Sequence, residues 1–277
     1  MSWRLPFKIF LCVFVKNCAC TAWPSIPYKE FMDWTDEGLV LSARRHGENS
    51  LIVNLLTREQ GRHAGLVRGA SSTRNRGLYQ PGNHLRAHWR GRLAEHLGNF
   101  TCELLHSHAA DYLHQPLPLM ALSSATAILD SALPERAPCP ALFEKLEALI
   151  GNFDKSGWQV RYIRWELELL AELGFGLDLR RCAATGSDQD LIYVSPRTGR
   201  AVSAEAGRNY QDRLLSLPKF LIEDTNTDIS GPILYEGLKL TGHFLGRHVL
   251  SDTRYGLPAA RERLADGLRR QPTHKIK

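Results

Sequence analysis

RHAGLVRGASSTRNRGLYQPGNHLRAHWRGR, residues 62–92, holds seven arginines and three histidines and neither Asp nor Glu. Its last part alternates with period two: Leu85, Ala87 and Trp89 fall on one side of a strand, and Arg86, His88, Arg90 and Arg92 on the other. One side is suited to packing and the other presents charge. Successive outward residues of a strand stand about 6.7 Å apart, twice the rise, a spacing that suits guanidinium groups following a phosphate backbone. Upstream, residues 70–82 combine Ser71, Ser72, Arg74, Asn75 and Arg76 with Gly77, Pro81 and Gly82, and read as a loop. Strand and loop together imply a surface for nucleic acid; the plain alternative is a solvated strand in a basic protein.

Working outward, Gly38 to Arg45 and Asn49 to Thr57 read as strands split by His46-Gly47-Glu48, with Leu51, Val53 and Leu55 on one buried face. Arg62 to Gly69 reads as a third, Leu85 to Arg92 as a fourth, and Leu97 to His106 as a fifth with Phe100, Cys102 and Leu104 inward. Five short antiparallel strands in about 70 residues is the count for a small closed barrel of the oligonucleotide-binding (OB) kind. Such barrels bind strands on one face with cationic and aromatic side chains.

After Tyr112 the texture is helical. Helices are expected over Pro116–Leu133, Ala141–Phe153, Trp158–Leu173, Arg208–Leu215, Ile233–Leu250 and Ala259–Arg269. Tyr162, Trp165, Leu169 and Leu173 form a stripe that reads as bundle core, flanked by Arg161 and Arg164. Between about 177 and 203, Leu191–Ser195, Pro196-Arg197-Thr198-Gly199 and Arg200–Val202 read as a small inserted hairpin. The fold class is therefore α+β. Residues 32–108 form the barrel, and residues 109–277 a helical domain carrying the hairpin.

Residues 1–31 form an extension expected to be weakly ordered. Arg4 and Lys8 before the apolar run Ile9–Val15 imitate a secretory leader, the competing reading; against it, the run is short, Lys16 follows at once, and Trp23 with two prolines fits a cleavage region poorly. The run is also too short to span a bilayer. Met32 opens the segment that reads as the start of a domain.

The formal charge of +6 is unevenly spread. Residues 33–105 carry ten Lys/Arg against seven Asp/Glu, whereas residues 106–277 carry 21 against 21, so the polyanion-facing half is the N-terminal one and the balanced half is the candidate for protein contacts. Six cysteines include no CxxC pair and no disulfide framework, which points to a reducing compartment. There is no phosphate-binding GxxxxGK[ST] loop and no GxGxxG, and Ser71 and Ser72 have no recognisable base nearby, so nothing proposes an enzyme. His84 and His88 share one outward strand face without the helix of a zincin, and His106, His108 and His114 are read as solvent-exposed. No metal site is expected from either group.

The segments TDEGLVLSARRHGENSLIVNLLTREQGRHAGLVRGASS, LYQPG before the fourth strand, LGFGLDLRRCAATG, VSPRTGRAVS and the closing LPAAR of Leu257–Arg261 occur in an order that resembles the RecO family of recombinational DNA-repair mediators, from Met32 to about Leu268. The resemblance implies an OB barrel and a helical domain with an inserted, often zinc-bound, element. It implies binding of single- and double-stranded DNA, annealing of complementary strands, and, with the partner RecR, help to the recombinase RecA in displacing single-strand-binding protein. A cytoplasmic, nucleoid-associated protein without membrane contact follows from it. The family's zinc form uses four cysteines around the insert; here only Cys182 occupies such a position, and a structural zinc needs about four ligands, so the site reads as a degenerate zinc ribbon without cofactor.

The residues expected to contact nucleic acid are Arg68, Arg74, Arg76, Arg86, Arg90 and Arg92, neutralising phosphates, with Tyr79 stacking on a base. Trp89, by its alternation, belongs to the core. Arg161 and Arg164 are candidates to flank a groove for the acidic tail of single-strand-binding protein. The rival function is an OB-fold RNA-binding or ribosome-associated module, which the same basic strip would serve; a weaker third is an exported metalloprotein.

Overall fold

The structure, a computed structural model, describes residues 32–70, 75, 77–223, 229–251 and 256–271. The expectations for residues 1–31 and for Arg74 and Arg76 therefore lie outside the described residues. Five strands, β1 (Met32–His46), β2 (Ser50–Thr57), β3 (Gly61–Arg68), β4 (His84–Gly91) and β5 (Asn99–His106), close into a barrel in the order β1-β2-β3-β5-β4. β1 is long because it serves two neighbours. Its first half pairs with β4, from Met32↔Gly91 to Leu39↔His84, and its second half with β2, from Gly38↔Thr57 to His46↔Ser50. The register shifts between Val40 and Ser42, and a bulge there bends and twists the strand so that it can turn the corner between partners. A single parallel pairing, Leu66↔Asn99, closes the barrel. This is the expected five-stranded OB architecture.

The barrel interior holds Val40, Leu51, Val53, Leu55, Val67, Leu85, Ala87, Trp89 and Phe100. The opposite faces of β1 and β2 are covered too. Leu39, Leu41 and Leu56, all nearly fully buried, join the core of the helical half. This double burial explains why β2 reads SLIVNLLT instead of alternating. Its polar outward residue, Asn54, donates to Asp130 at 2.9 Å and to Ser42 at 3.2 Å. Burying an aliphatic side chain of this size stabilises by about 1.5–3 kcal/mol, so these three leucines bind barrel to helices as one core.

The helices are α1 (His108–Asp111), α2 (Pro116–Ala132), α3 (Pro140–Ile150), α4 (Trp158–Glu172), α5 (Ala204–Gly207), α6 (Gly231–Phe244) and α7 (Ala259–Arg269). α2, α3 and α6 each place Pro in the first turn, where its missing N–H costs no helical bond. On α4 the Tyr162, Trp165 and Leu169 stripe is buried, with Leu173 packed against it. Arg261 of α7, in the LPAAR segment, lies buried and meets Glu166 of α4 through two 2.8 Å contacts, while also donating to the Leu238 carbonyl at 2.7 Å. A buried charge is tolerated when its partner and hydrogen bonds travel with it.

The hairpin forms from β6 (Leu191–Val194) and β7 (Ala201–Ser203), and β8 (Leu215–Ser216) joins the free edge of β6 to make a three-stranded sheet. Two expectations for the elements require correction, and the helix expected over Ile233–Leu250 is present in two parts. Arg208–Arg213 is a 3-10 turn leading into β8 and not an α-helix. The helix beginning at Gly231 ends as α at Phe244 and continues as a π turn, Leu245–Val249. Leu104 is 47% exposed: pairing of β3 with β5 is confined to Leu66↔Asn99, so the later half of β5 has no strand on that side to cover it.

Candidate nucleic-acid interface

Seven arginines share one stretch of sequence, and the fold sends the five that lie among the described residues to different places. Arg68, Arg86, Arg90 and Arg92 are exposed. Arg62 turns into the seam with the helical half, donating to the Leu133 carbonyl at 2.8 Å and pairing with Asp130 at 3.4 Å and Glu135 at 3.5 Å. The histidines divide likewise. His88 is exposed beside Thr35, 3.1 Å away, whereas His63 is 4% exposed inside the barrel and His84 lies in the seam, 3.4 Å from both Glu37 and Glu147.

The β4 face shows the alternation expected of it, with Leu85, Ala87 and Trp89 buried and Arg86, His88 and Arg90 exposed. Its lateral neighbours change its charge. Arg86 stands opposite Glu37 on β1 and Glu103 on β5; His88 stands opposite Thr35 and Thr101; Arg90 stands opposite Asp33 and Asn99. Directly opposed residues share a sheet face and interact. The β4 face, free of acids along the chain, thus acquires three acidic neighbours across the sheet, and its cationic character grades toward the end of β4 where Arg90 and Arg92 lie.

The remaining exposed arginines are placed by the register of β3 and the β1–β2 hairpin. Leu66 of β3 pairs with Asn99, which pairs with Arg90, and Arg68 pairs with Ser50, which pairs with His46 at the β1–β2 hairpin. Arg44 and Arg45 on the same hairpin are exposed. They were missed as site residues, although adjacent arginines beside a His-Gly turn are a legible signal. The exposed arginines therefore fall into two groups, Arg90 and Arg92 at the end of β4 and Arg68 with Arg44 and Arg45 at the end of β3 and the β1–β2 hairpin, with Arg86 among acids.

Tyr79 is the clear correction. It is 6% exposed within the barrel core, beside Cys102. Burial raises the pKa of its phenol and pushes the thiol of Cys102 up to about 12. Its ring fills the barrel mouth and is not offered to a base. The loop is drawn inward by Asn83, which is fully buried: it donates to the carbonyls of Gly77 and Leu78 at 2.8 and 3.1 Å, and accepts from Ser107 and the Ala109 N–H at 3.3 and 3.2 Å.

Arg161 and Arg164, the candidates to flank a groove, are engaged with backbone carbonyls of the chain itself. Arg161 donates to the carbonyls of Asn152, Lys155 and Ser156, and Arg164 to those of Phe220 and Glu223. Both are pins that hold chain turns against α4. At the insert, the Cys182 thiol is buried and bonded to Ser203, 3.5 Å from its hydroxyl and 3.3 Å from its N–H. Among the described residues Cys102 and Cys139 lie on β5 and before α3, so the donor set there does not fit the four-thiolate zinc that the resemblance implies. His108, expected at the surface, is only 9% exposed, and burial lowers its pKa to about 4, with His106 beside it acting in the same direction. No described helix is long and apolar enough to cross a membrane.

Comparison with known proteins agrees with this architecture. A family profile described as "Recombination protein O N terminal" matches residues 32–108, the barrel, and one described as "Recombination protein O C terminal" matches residues 113–254. The chain is similar to the DNA repair protein RecO of Rhodospirillum centenum, 51% identical over 244 residues, covering 87% of this chain and 97% of that protein. It is 44% identical over 245 residues to the DNA repair protein RecO of Rhodospirillum rubrum, covering 86% and 97%, and 46% identical over 244 residues to that of a Jannaschia species, covering 87% and 98%. With both halves matched in order and relatives covered almost end to end, the chain belongs to the RecO family.

Proposed function

We propose that this protein is a DNA-repair recombination mediator that binds and anneals DNA strands on the exposed arginines of its barrel, and helps load RecA onto single strands coated with single-strand-binding protein, in concert with RecR. The observation that carries the reading is the exposed set Arg68, Arg86, Arg90 and Arg92, presented by an OB barrel in a chain of the RecO family. These guanidiniums, with Arg74 and Arg76 of the adjoining loop, neutralise phosphates and release counterions. Holding two strands on one cationic surface lowers their mutual repulsion, so complementary bases can find register. That is annealing without bond chemistry, and the reading assigns the protein no catalytic step. The charge-balanced helical half is assigned to protein partners, and the protein to the cytoplasm, at the nucleoid.

The test is salt-dependent binding to single-stranded DNA together with strand annealing. About six phosphate contacts give a log-log salt slope near about −4, and Arg86→Ala/Arg90→Ala/Arg92→Ala should bring it closer to zero by about 2 and slow annealing. Affinity independent of salt, or a triple variant that binds and anneals like the parent, overturns the surface. Tighter binding to RNA than to DNA of the same sequence, with no acceleration of annealing on protein-coated strands, favours an RNA-binding module instead.

A further inference from the structure

At the end of the barrel away from Arg90, where β4 and β5 meet the helices, His84 pairs with His106 in the sheet register. The chain leaves β5 and turns at once into α1, placing His106, His108 and Asp111 together in the pattern His-x-His-x-x-Asp. The His106 Nε2 lies 2.7 Å and the His108 Nδ1 3.8 Å from the same carboxylate oxygen, Asp111 Oδ2. All three potential ligand atoms fall within 4.8 Å of one another, and the imidazole centroids are 4.4 Å apart. They line one wall of an open cavity of about 540 Å³, with His84 and Glu147 also on its lining.

We propose that His106, His108 and Asp111 form a binding site for a borderline divalent transition cation of the Zn²⁺ class, with its open coordination position facing this cavity. Zn²⁺ bonds to imidazole nitrogen and carboxylate oxygen at about 2.0–2.2 Å, which separates tetrahedral ligands by about 3.3 Å. The two observed separations to Asp111 bracket that value. The side chains of His106 and Asp111 are 54% and 47% exposed and free to adjust, while that of His108 is 11% exposed and fixed by packing. Two nitrogens and one carboxylate leave a fourth position for water, and the cavity supplies room for it. The donor set also selects the class: imidazole disfavours Mg²⁺ and Ca²⁺, which take oxygen ligands. Glu147, 3.4 Å from His84 Nδ1, adds negative charge to the cavity wall and favours a cation. This site is separate from the insert around Cys182 and contains no sulfur.

The test is calorimetric titration of the full chain with ZnCl₂ after chelator treatment, in parallel with MgCl₂ and with the variants His106→Ala/Asp111→Asn and Cys182→Ser. We expect uptake of one Zn²⁺ per chain, none of Mg²⁺ at matched concentration, at least a hundredfold weaker binding in the double variant, and unchanged binding in Cys182→Ser. The two substituted residues are exposed, and circular dichroism checks that the variant folds. Loading with Co²⁺ gives a second readout, because nitrogen and oxygen ligation produces visible d–d bands without the near-ultraviolet charge transfer of a thiolate. Absence of stoichiometric uptake, uptake that survives His106→Ala/Asp111→Asn, or a thiolate band each overturns the proposal.

Discussion

At the residue scale, His63 shows how one buried side chain ties stability to pH. It sits among Trp34, Trp89 and Phe100, with ring centroids 5.0, 5.0 and 6.1 Å away, and neither ring nitrogen reaches a hydrogen-bond partner among the described residues. Burial, aided by the positive charge of Arg136, lowers its pKa to about 4. Because this lies below the ordinary value of 6.5, the unfolded chain takes up the proton first as pH falls. The stability held by neutral His63 is complete above about pH 6.5 and is lost between there and about pH 4, a change of roughly 3 kcal/mol for this one group. His108 acts in the same direction. Thermal unfolding of His63→Leu should therefore fall less steeply between about pH 7 and pH 5 than that of the parent, and an identical pH slope would show that the imidazole is solvated. Tyr79 supplies a second expectation. Tyr79→Ala should cost about 3–5 kcal/mol, as loss of a core aromatic does, whereas Tyr79→Phe should leave DNA affinity within twofold; a large selective loss of affinity in Tyr79→Phe would return the residue to the interface.

At the scale of the element, the β4 face is decided by its neighbours as much as by its own alternation. Arg86 between Glu37 and Glu103 presents far less net positive charge than the run LRAHWRGR suggests. Cross-strand charge pairs are worth about 0.2–1 kcal/mol each, so Glu37→Gln/Glu103→Gln should tighten single-strand binding by roughly twofold to thirtyfold, with the gain shrinking as salt is raised. Filter binding or fluorescence anisotropy across a salt series reads this directly. If affinity does not change, DNA does not pass over the Arg86 end of the strand and the contact is confined to Arg90, Arg92 and Arg68. The alternation was legible because it is a property of one strand. Glu37 and Glu103 are distant in sequence from Arg86 and become its neighbours only through pairing.

At the scale of the whole molecule, the barrel and the helices are held in register by close backbone approach. Gly61, at φ +69°, lies so near Ala137 that a Cβ there would stand 2.0 Å from its carbonyl oxygen, whereas Gly47, at φ +65°, faces open space. Gly47→Ala should thus cost only the left-handed strain, about 1–2 kcal/mol. Gly61→Ala should cost at least about 2 kcal/mol more, since rigid backbone must move, and denaturant midpoints of the two variants make the comparison. Equal losses would mean that the seam yields freely. The family segments quoted from the sequence belong to this level as well: LYQPG brings Gly82 against Leu122, and LPAAR supplies the buried Arg261. Their work lies in joining elements.

By itself the sequence determined the local periods: the five strands, the core stripe of α4, the inward Trp89 and the outward Arg86, His88 and Arg90, because alternation and helical spacing need no knowledge of distant partners. It determined the RecO resemblance for the same reason, through the order of its segments. Only the tertiary structure decided that Arg62 and His84 serve the seam, that Tyr79 and His63 turn inside, that Arg161 and Arg164 hold chain turns, and that His106, His108 and Asp111 converge. Each of those outcomes depends on which surface covers a residue, and burial by a distant segment leaves no periodic mark on the chain that it covers.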